Sequence, residues 1–82
     1  MKKVEIFTTP VCHYCQLAKE WFAKNNIEYT AYDVTKDMVK RQELIDSGAM
    51  GVPLIRISGD GMQTELINGF EEDKLRTILG VA

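Results

Sequence analysis

The change of hydrophobic period around Pro10 constrains the fold of this chain more than any other feature. Before it, Lys3-Val4-Glu5-Ile6-Phe7-Thr8 is rich in strand formers and alternates imperfectly. After it, Tyr14, Leu17, Ala18, Trp21 and Phe22 recur at helical spacing, the stripe of a helix laid on a core. A strand feeding directly into a helix returns over its own sheet, and the right-handed crossover makes the next strand parallel to the first. Asn25-Asn26 ends the helix, and the second strand is expected over roughly 28–34, carrying Tyr29, Ala31, Tyr32 and Val34.

The remainder continues the same alternation of elements. Thr35 is placed to cap a second helix running to about Ser47, with Gly48 in the position of a C-terminal cap. Val52-Pro53-Leu54-Ile55-Arg56-Ile57 predicts a third strand that starts at a proline, where a missing N–H is tolerated. Ser58-Gly59-Asp60-Gly61 is a turn, so residues 63–67 should return antiparallel. Asn68-Gly69 is a further turn before the acidic stretch Glu71-Glu72-Asp73, which suits the first turn of a helix. Leu75, Ile78 and Leu79 form that helix's buried stripe, and Gly80 ends it. The expected fold is α/β, ordered β-α-β-α-β-β-α, with a four-stranded mixed sheet flanked by helices. No linker or repeat interrupts it, so the 82 residues are read as one domain, 1–82.

Both cysteines, Cys12 and Cys15, fall at the expected start of the first helix. A net charge of −2 provides no basic field for nucleic acid or an anionic membrane. MKKVEIF has no apolar h-region, and no stretch nears membrane-spanning length. The expected location is therefore cytoplasmic, where paired cysteines usually do chemistry or bind metal. Cysteines at i and i+3 share a helix face and are close enough to be bridged. The ring so closed is small, and a bond there does little to restrain the unfolded chain. A helix N-terminus, with free N–H groups and partial positive charge, favours a thiolate. Cys12 at the very start is the expected nucleophile, and Cys15, one turn in and more buried, the resolving thiol. A closed zinc site wants four ligands, and two cysteines and one histidine fall short, so no metal is expected.

These residues resemble the glutaredoxins of the thioredoxin-like superfamily, over nearly the whole chain. VEIFTTPVCHYCQLAK is similar to the family's strand, C-x-x-C and helix. Gly51-Val52-Pro53 resembles the family's segment with a cis proline, and Asn68-Gly69-Phe70-Glu71-Glu72 stands in place of its glycine-rich turn. The resemblance implies a thioredoxin-like fold and a thiol–disulfide oxidoreductase, with glutathione as co-substrate and no tightly bound cofactor. It assigns Tyr14 to the glutathione groove and gives Val52, preceding Pro53, a backbone that can pair with an extended substrate. Gly69, Phe70 and Glu71 would receive the γ-glutamyl end, and Lys40 or Arg41 the opposite carboxylate. Thr9 stands where many relatives have lysine, and His13 where they have proline. Thr9, Pro10 and Phe70 pull instead towards NrdH-type redoxins, which donate electrons to ribonucleotide reductase and are recharged by thioredoxin reductase. Partners implied are disulfide-containing or glutathionylated proteins, with a monomeric chain. A remote alternative is an iron–sulfur carrier bridging a cluster through Cys12 and glutathione.

Simpler roles stand beside these. His13 does not face Cys12 along the helix and can be a solvent-exposed spacer, or its charge can tune the thiolate. Trp21 and Phe22 are read as core, and Lys40 and Arg41 as part of a solvated helix face. Phe70 either anchors the last helix or floors the substrate groove.

Overall fold

The computed structural model describes residues 2–59 and 61–81. Strand β1 (Lys2–Thr8) leads into helix α1 (His13–Lys24), and β2 (Thr30–Asp33) into α2 (Met38–Asp46). β3 (Leu54–Gly59), β4 (Glu65–Asn68) and α3 (Glu72–Leu79) complete the expected order. The strands form one sheet in the order β2-β1-β3-β4. β1 is parallel to β2 and antiparallel to β3, and β3 is antiparallel to β4.

The imperfect alternation of β1 has a structural cause. β1 is an inner strand covered on both faces, and residues 4–8 are all buried. Val4 and Ile6 join Ile55, Ile57 and Ile67 on one face, beneath Ala18, Trp21 and Phe22 of α1 and Leu75 of α3. Phe7 belongs to the opposite face, where Leu54, Val34 and Leu44 of α2 make a smaller cluster. Trp21 and Phe22 are thus core residues, as expected.

Asn25 and Asn26 stop α1 by distinct means. The Asn25 amide donates to the Trp21 carbonyl at 2.8 Å, and Asn26 adopts a left-handed φ of 57°. The chain then folds back so that the Ile27 N–H reaches the Phe22 carbonyl at 2.8 Å.

Several boundaries differ from expectation. Thr35 does not cap α2, because its N–H and its hydroxyl both donate to the Asp33 carboxylate, making a turn of their own. Asp37 is the cap, accepting the Lys40 N–H at 3.1 Å. At the other end Ser47 occupies the C-cap, and Gly48 lies beyond it with φ 80°. β2 begins at Thr30 and β4 at Glu65, and β3 begins at Leu54, after the proline that cannot donate to a ladder. Of the expected turn between β3 and β4, Asp60 lies outside the described residues.

The sheet face beneath α2 also carries a charge cluster. Glu5, only 4% exposed, receives Arg56 Nε on Oε1 and Nη2 on Oε2, each at 2.9 Å. The Tyr32 hydroxyl donates to Glu5 Oε2 at 2.6 Å, and Arg56 Nη1 donates to Glu43 Oε1 at 3.0 Å. The cluster therefore ties β1, β2, β3 and α2 together. The hydrogen bonds from Arg56 outweigh burial and hold the Glu5 carboxyl at about 2. Glu5 in turn pushes the Tyr32 hydroxyl up, chiefly by accepting its hydrogen bond.

Candidate active site

One end of the sheet gathers the predicted residues. β1 ends at Thr8, and Cys12 follows as the N-cap of α1. The Cys12 N–H donates to the Thr9 carbonyl at 3.3 Å, which curls the chain through Pro10 and Val11 into the helix. Thr9 thus contributes its carbonyl to the turn. Because β3 runs antiparallel to β1 with Leu54 opposite Phe7, the Val52–Pro53 peptide lies at this same end, and it is cis. Asn68 is opposite Leu54 in the next ladder, so Gly69, Phe70 and Glu71 follow here too.

Cys12 and Cys15 form a disulfide with their Cα atoms 5.2 Å apart. Cys12 Sγ accepts the Cys15 N–H at 3.1 Å. A sulfur at the N-cap thereby meets one of the free donors of the first turn, the place where a thiolate is best stabilised. Cys15 is 0% exposed, whereas Cys12 is half-buried. Of the two cysteines, only Cys12 is reached by solvent.

Tyr14 corrects the helical stripe drawn from sequence. It is 62% exposed, at the start of α1 beyond the edge of the core, with its ring edge-on to the exposed His13 at 5.8 Å. Val11 is exposed as well, and so is Met50, at 98%.

The turn after β4 has a defined backbone requirement. Gly69 has φ 104°, a conformation that side chains rarely adopt, and a Cβ built there would meet nothing within 4 Å. Glycine is needed for the dihedral, not for space. Phe70 packs against the main core with its ring 6.4 Å from Trp21, so it anchors the start of α3. Glu71 is the N-cap of α3, makes no side-chain cap bond and lies 3.3 Å from Lys74.

The two candidate cations differ. Arg41 is exposed, but Lys40 is not the freely solvated residue its helix face suggested. Its Nζ lies 2.9 Å from Glu43 and 4.5 Å over the Tyr32 ring, and the hydrogen bond to Glu43 raises its pKa. Among the described residues no group of three or more His, Cys, Asp or Glu could hold a metal ion, and no helix is long and apolar enough to cross a membrane.

One residue of this end escaped the sequence reading. Asn68 looked like half of an Asn-Gly turn, yet its side chain makes three hydrogen bonds to the segment before Leu54. No local signal distinguishes an asparagine that turns its own backbone from one that binds a distant loop.

Comparisons with known proteins agree with this geometry. The glutaredoxin family model matches residues 4–62. The chain is 37% identical over 76 residues to an uncharacterised glutaredoxin-like 8.6 kDa protein in the rubredoxin operon of Clostridium pasteurianum, covering 88% of this chain and 95% of that one. A thioredoxin of Methanocaldococcus jannaschii is 34% identical over 61 residues, covering 71% of this chain and 72% of its own. Among solved structures, a variant of the thioredoxin-like protein BC3987 superposes with a TM-score of 0.82 at 34% identity over 100% of both chains. The NrdH-redoxin of Escherichia coli superposes with a TM-score of 0.79 at 20% identity over 93% of each chain, a likeness of fold.

Proposed function

This chain belongs to the glutaredoxin family, and on that premise we propose that it is a dithiol carrier that reduces disulfides through a reversible Cys12–Cys15 disulfide. The observation that carries the proposal is the asymmetry of the two sulfurs, one reachable at a helix N-cap and one fully buried. The Cys12 thiolate attacks one sulfur of the substrate disulfide, forming a mixed disulfide and expelling the other sulfur as a thiolate. Cys15 gives up its proton and attacks Cys12 Sγ, which releases the second substrate thiolate. Two electrons have then moved from the protein to the substrate, and a reductant restores the dithiol.

The substrates proposed are protein disulfides and glutathionylated proteins. Val52 would offer its N–H and C=O to an extended substrate chain, and Tyr14 an exposed ring two residues from Cys12. For the reductant, the state of Lys40 favours a protein donor over glutathione. Of the two cations that would meet one glutathione carboxylate, Lys40 is already paired with Glu43 and the exposed Arg41 is left, and Thr9 stands where many relatives carry a lysine. A flavoprotein disulfide reductase of the thioredoxin reductase type needs neither charge. These features support reading the chain as an NrdH-type donor, with ribonucleotide reductase a candidate acceptor of its electrons in a reducing cytoplasm.

The test is to recharge the oxidised protein in parallel with thioredoxin reductase and with glutathione plus glutathione reductase, following NADPH. The loss of one charge-assisted contact predicts recharging by glutathione slower by about 10-fold or more. Equal rates, or a faster glutathione arm, would make this a glutathione-dependent glutaredoxin. If neither arm restored the dithiol, both reductants would be excluded.

A further inference from the structure

We propose that Asn68 is a positioning residue that holds the cis-proline segment in the shape a substrate chain docks against. The inference rests on the oxidoreductase reading above and concerns how that same site takes protein substrates. Asn68 Oδ1 accepts the Met50 N–H at 2.8 Å. Its Nδ2 donates to the Gly51 carbonyl at 2.9 Å and to the Pro53 carbonyl at 3.1 Å. The neighbouring Gly69 N–H adds a second bond to the Pro53 carbonyl at 2.8 Å. One planar amide therefore joins both ends of residues 50–53 to the end of β4.

The residue type follows from the partners. The segment presents one donor and two acceptors, and a carboxamide has one acceptor oxygen and two donor hydrogens on a short, flat group. The opposite orientation of the amide would set its oxygen against two carbonyls, so the bonds specify a single orientation. Aspartate keeps the acceptor, loses both donors and turns a negative oxygen towards Gly51 and Pro53. Alanine loses all three bonds.

What Asn68 holds in place is Val52. Among the described residues, no hydrogen bond engages the Val52 N–H or C=O. The cis bond at Pro53 lies at the same sheet end as Cys12, so those groups are open to a chain lying beside the nucleophile. A protein disulfide flanked by extended backbone can use them. A small disulfide needs only the Cys12 sulfur. Asn68 is thereby a determinant of substrate size, acting through the loop and touching neither sulfur.

The experiment mixes pre-reduced wild type, Asn68→Ala and Asn68→Asp with insulin and, separately, with the aryl disulfide dithiobis(nitrobenzoate). The expected result is a rate constant for insulin lower by about 10-fold in both variants, since loss of fixed docking geometry costs at least that factor. The rate with the aryl disulfide should stay within about twofold, because thiolate chemistry at Cys12 is intact. Parallel losses on both disulfides, or no loss on either, would overturn the proposal. If Asn68→Ala does not fold, Asn68→Asp decides, as it keeps the side-chain shape and the Met50 bond. Unfolding of both would make Asn68 a residue of the fold and also overturn it. Failure of the underlying oxidoreductase reading looks different: wild type itself would reduce insulin no faster than a free dithiol such as dithiothreitol.

Discussion

Cys12→Ser is expected to abolish turnover of every disulfide substrate, while Cys15→Ser is expected to stall with substrate attached. A serine hydroxyl at the N-cap does not ionise near neutral pH, so the attack has no nucleophile. Serine is itself a good cap, which keeps α1 folded and makes the loss a chemical one. In Cys15→Ser the first attack proceeds, because Cys12 is the sulfur that solvent reaches and Cys15 is fully buried. The mixed disulfide then lacks its resolving thiol and accumulates, visible by mass spectrometry without reductant. Glutathione adducts can still be released from it by a second glutathione, so partial activity on those substrates is expected. Two results would reverse the assignment of roles: trapping by Cys12→Ser, or complete inactivity of Cys15→Ser with no adduct.

The second large effect is one of stability. Arg56→Met is expected to cost about 3–5 kcal/mol, because it leaves the buried Glu5 carboxylate without the guanidinium that compensates it. Replacing both, Glu5→Leu with Arg56→Met, should recover at least half of the loss, since a matched apolar pair has no stranded charge. Urea unfolding of wild type and the two variants measures this, and a double variant as unstable as the single one would show that the cluster matters for something other than charge pairing. The same pair predicts acid sensitivity. Glu5 is held at about 2 in the folded chain against an ordinary value of 4.5. Its contribution is therefore present in full above 4.5 and lost as pH falls towards about 2. At its largest it is on the order of 3 kcal/mol, and it should be missing from the acid limb of Arg56→Met.

Much of the fold was legible because its signals act within a turn or two of chain. The period change around Pro10 separated β1 from α1, and Asn25-Asn26 and Gly80 ended their helices as their backbone preferences demand. The errors were of the same local kind. Thr35 and Asp37 both suit a cap, and the choice between them depended on Asp33, whose carboxylate claims Thr35. Tyr14 fitted the spacing of the α1 stripe, but the stripe is buried only where the sheet lies beneath it, and α1 starts beyond that edge.

By itself the sequence determined the order of elements and the local features gathered at one end of the sheet: two cysteines at a helix start, a proline just before β3 and a glycine in the turn before α3. Each follows from interactions between near neighbours, namely capping, dipole, dihedral preference and periodicity, which are complete within a few residues. Only the tertiary structure decided which polar groups are spent on the fold and which are left for function. Nothing local marks Glu5 and Arg56 as partners until the pairing of β1 with β3 sets them side by side. Lys40 read as a free cation until α2 packed over Tyr32, and Asn68 as a simple turn until β4 brought it against the loop before Leu54. A side chain's hydrogen-bonding and charge capacity is a local property, but its partner is chosen by contacts between distant segments, and those exist only once the sheet has formed.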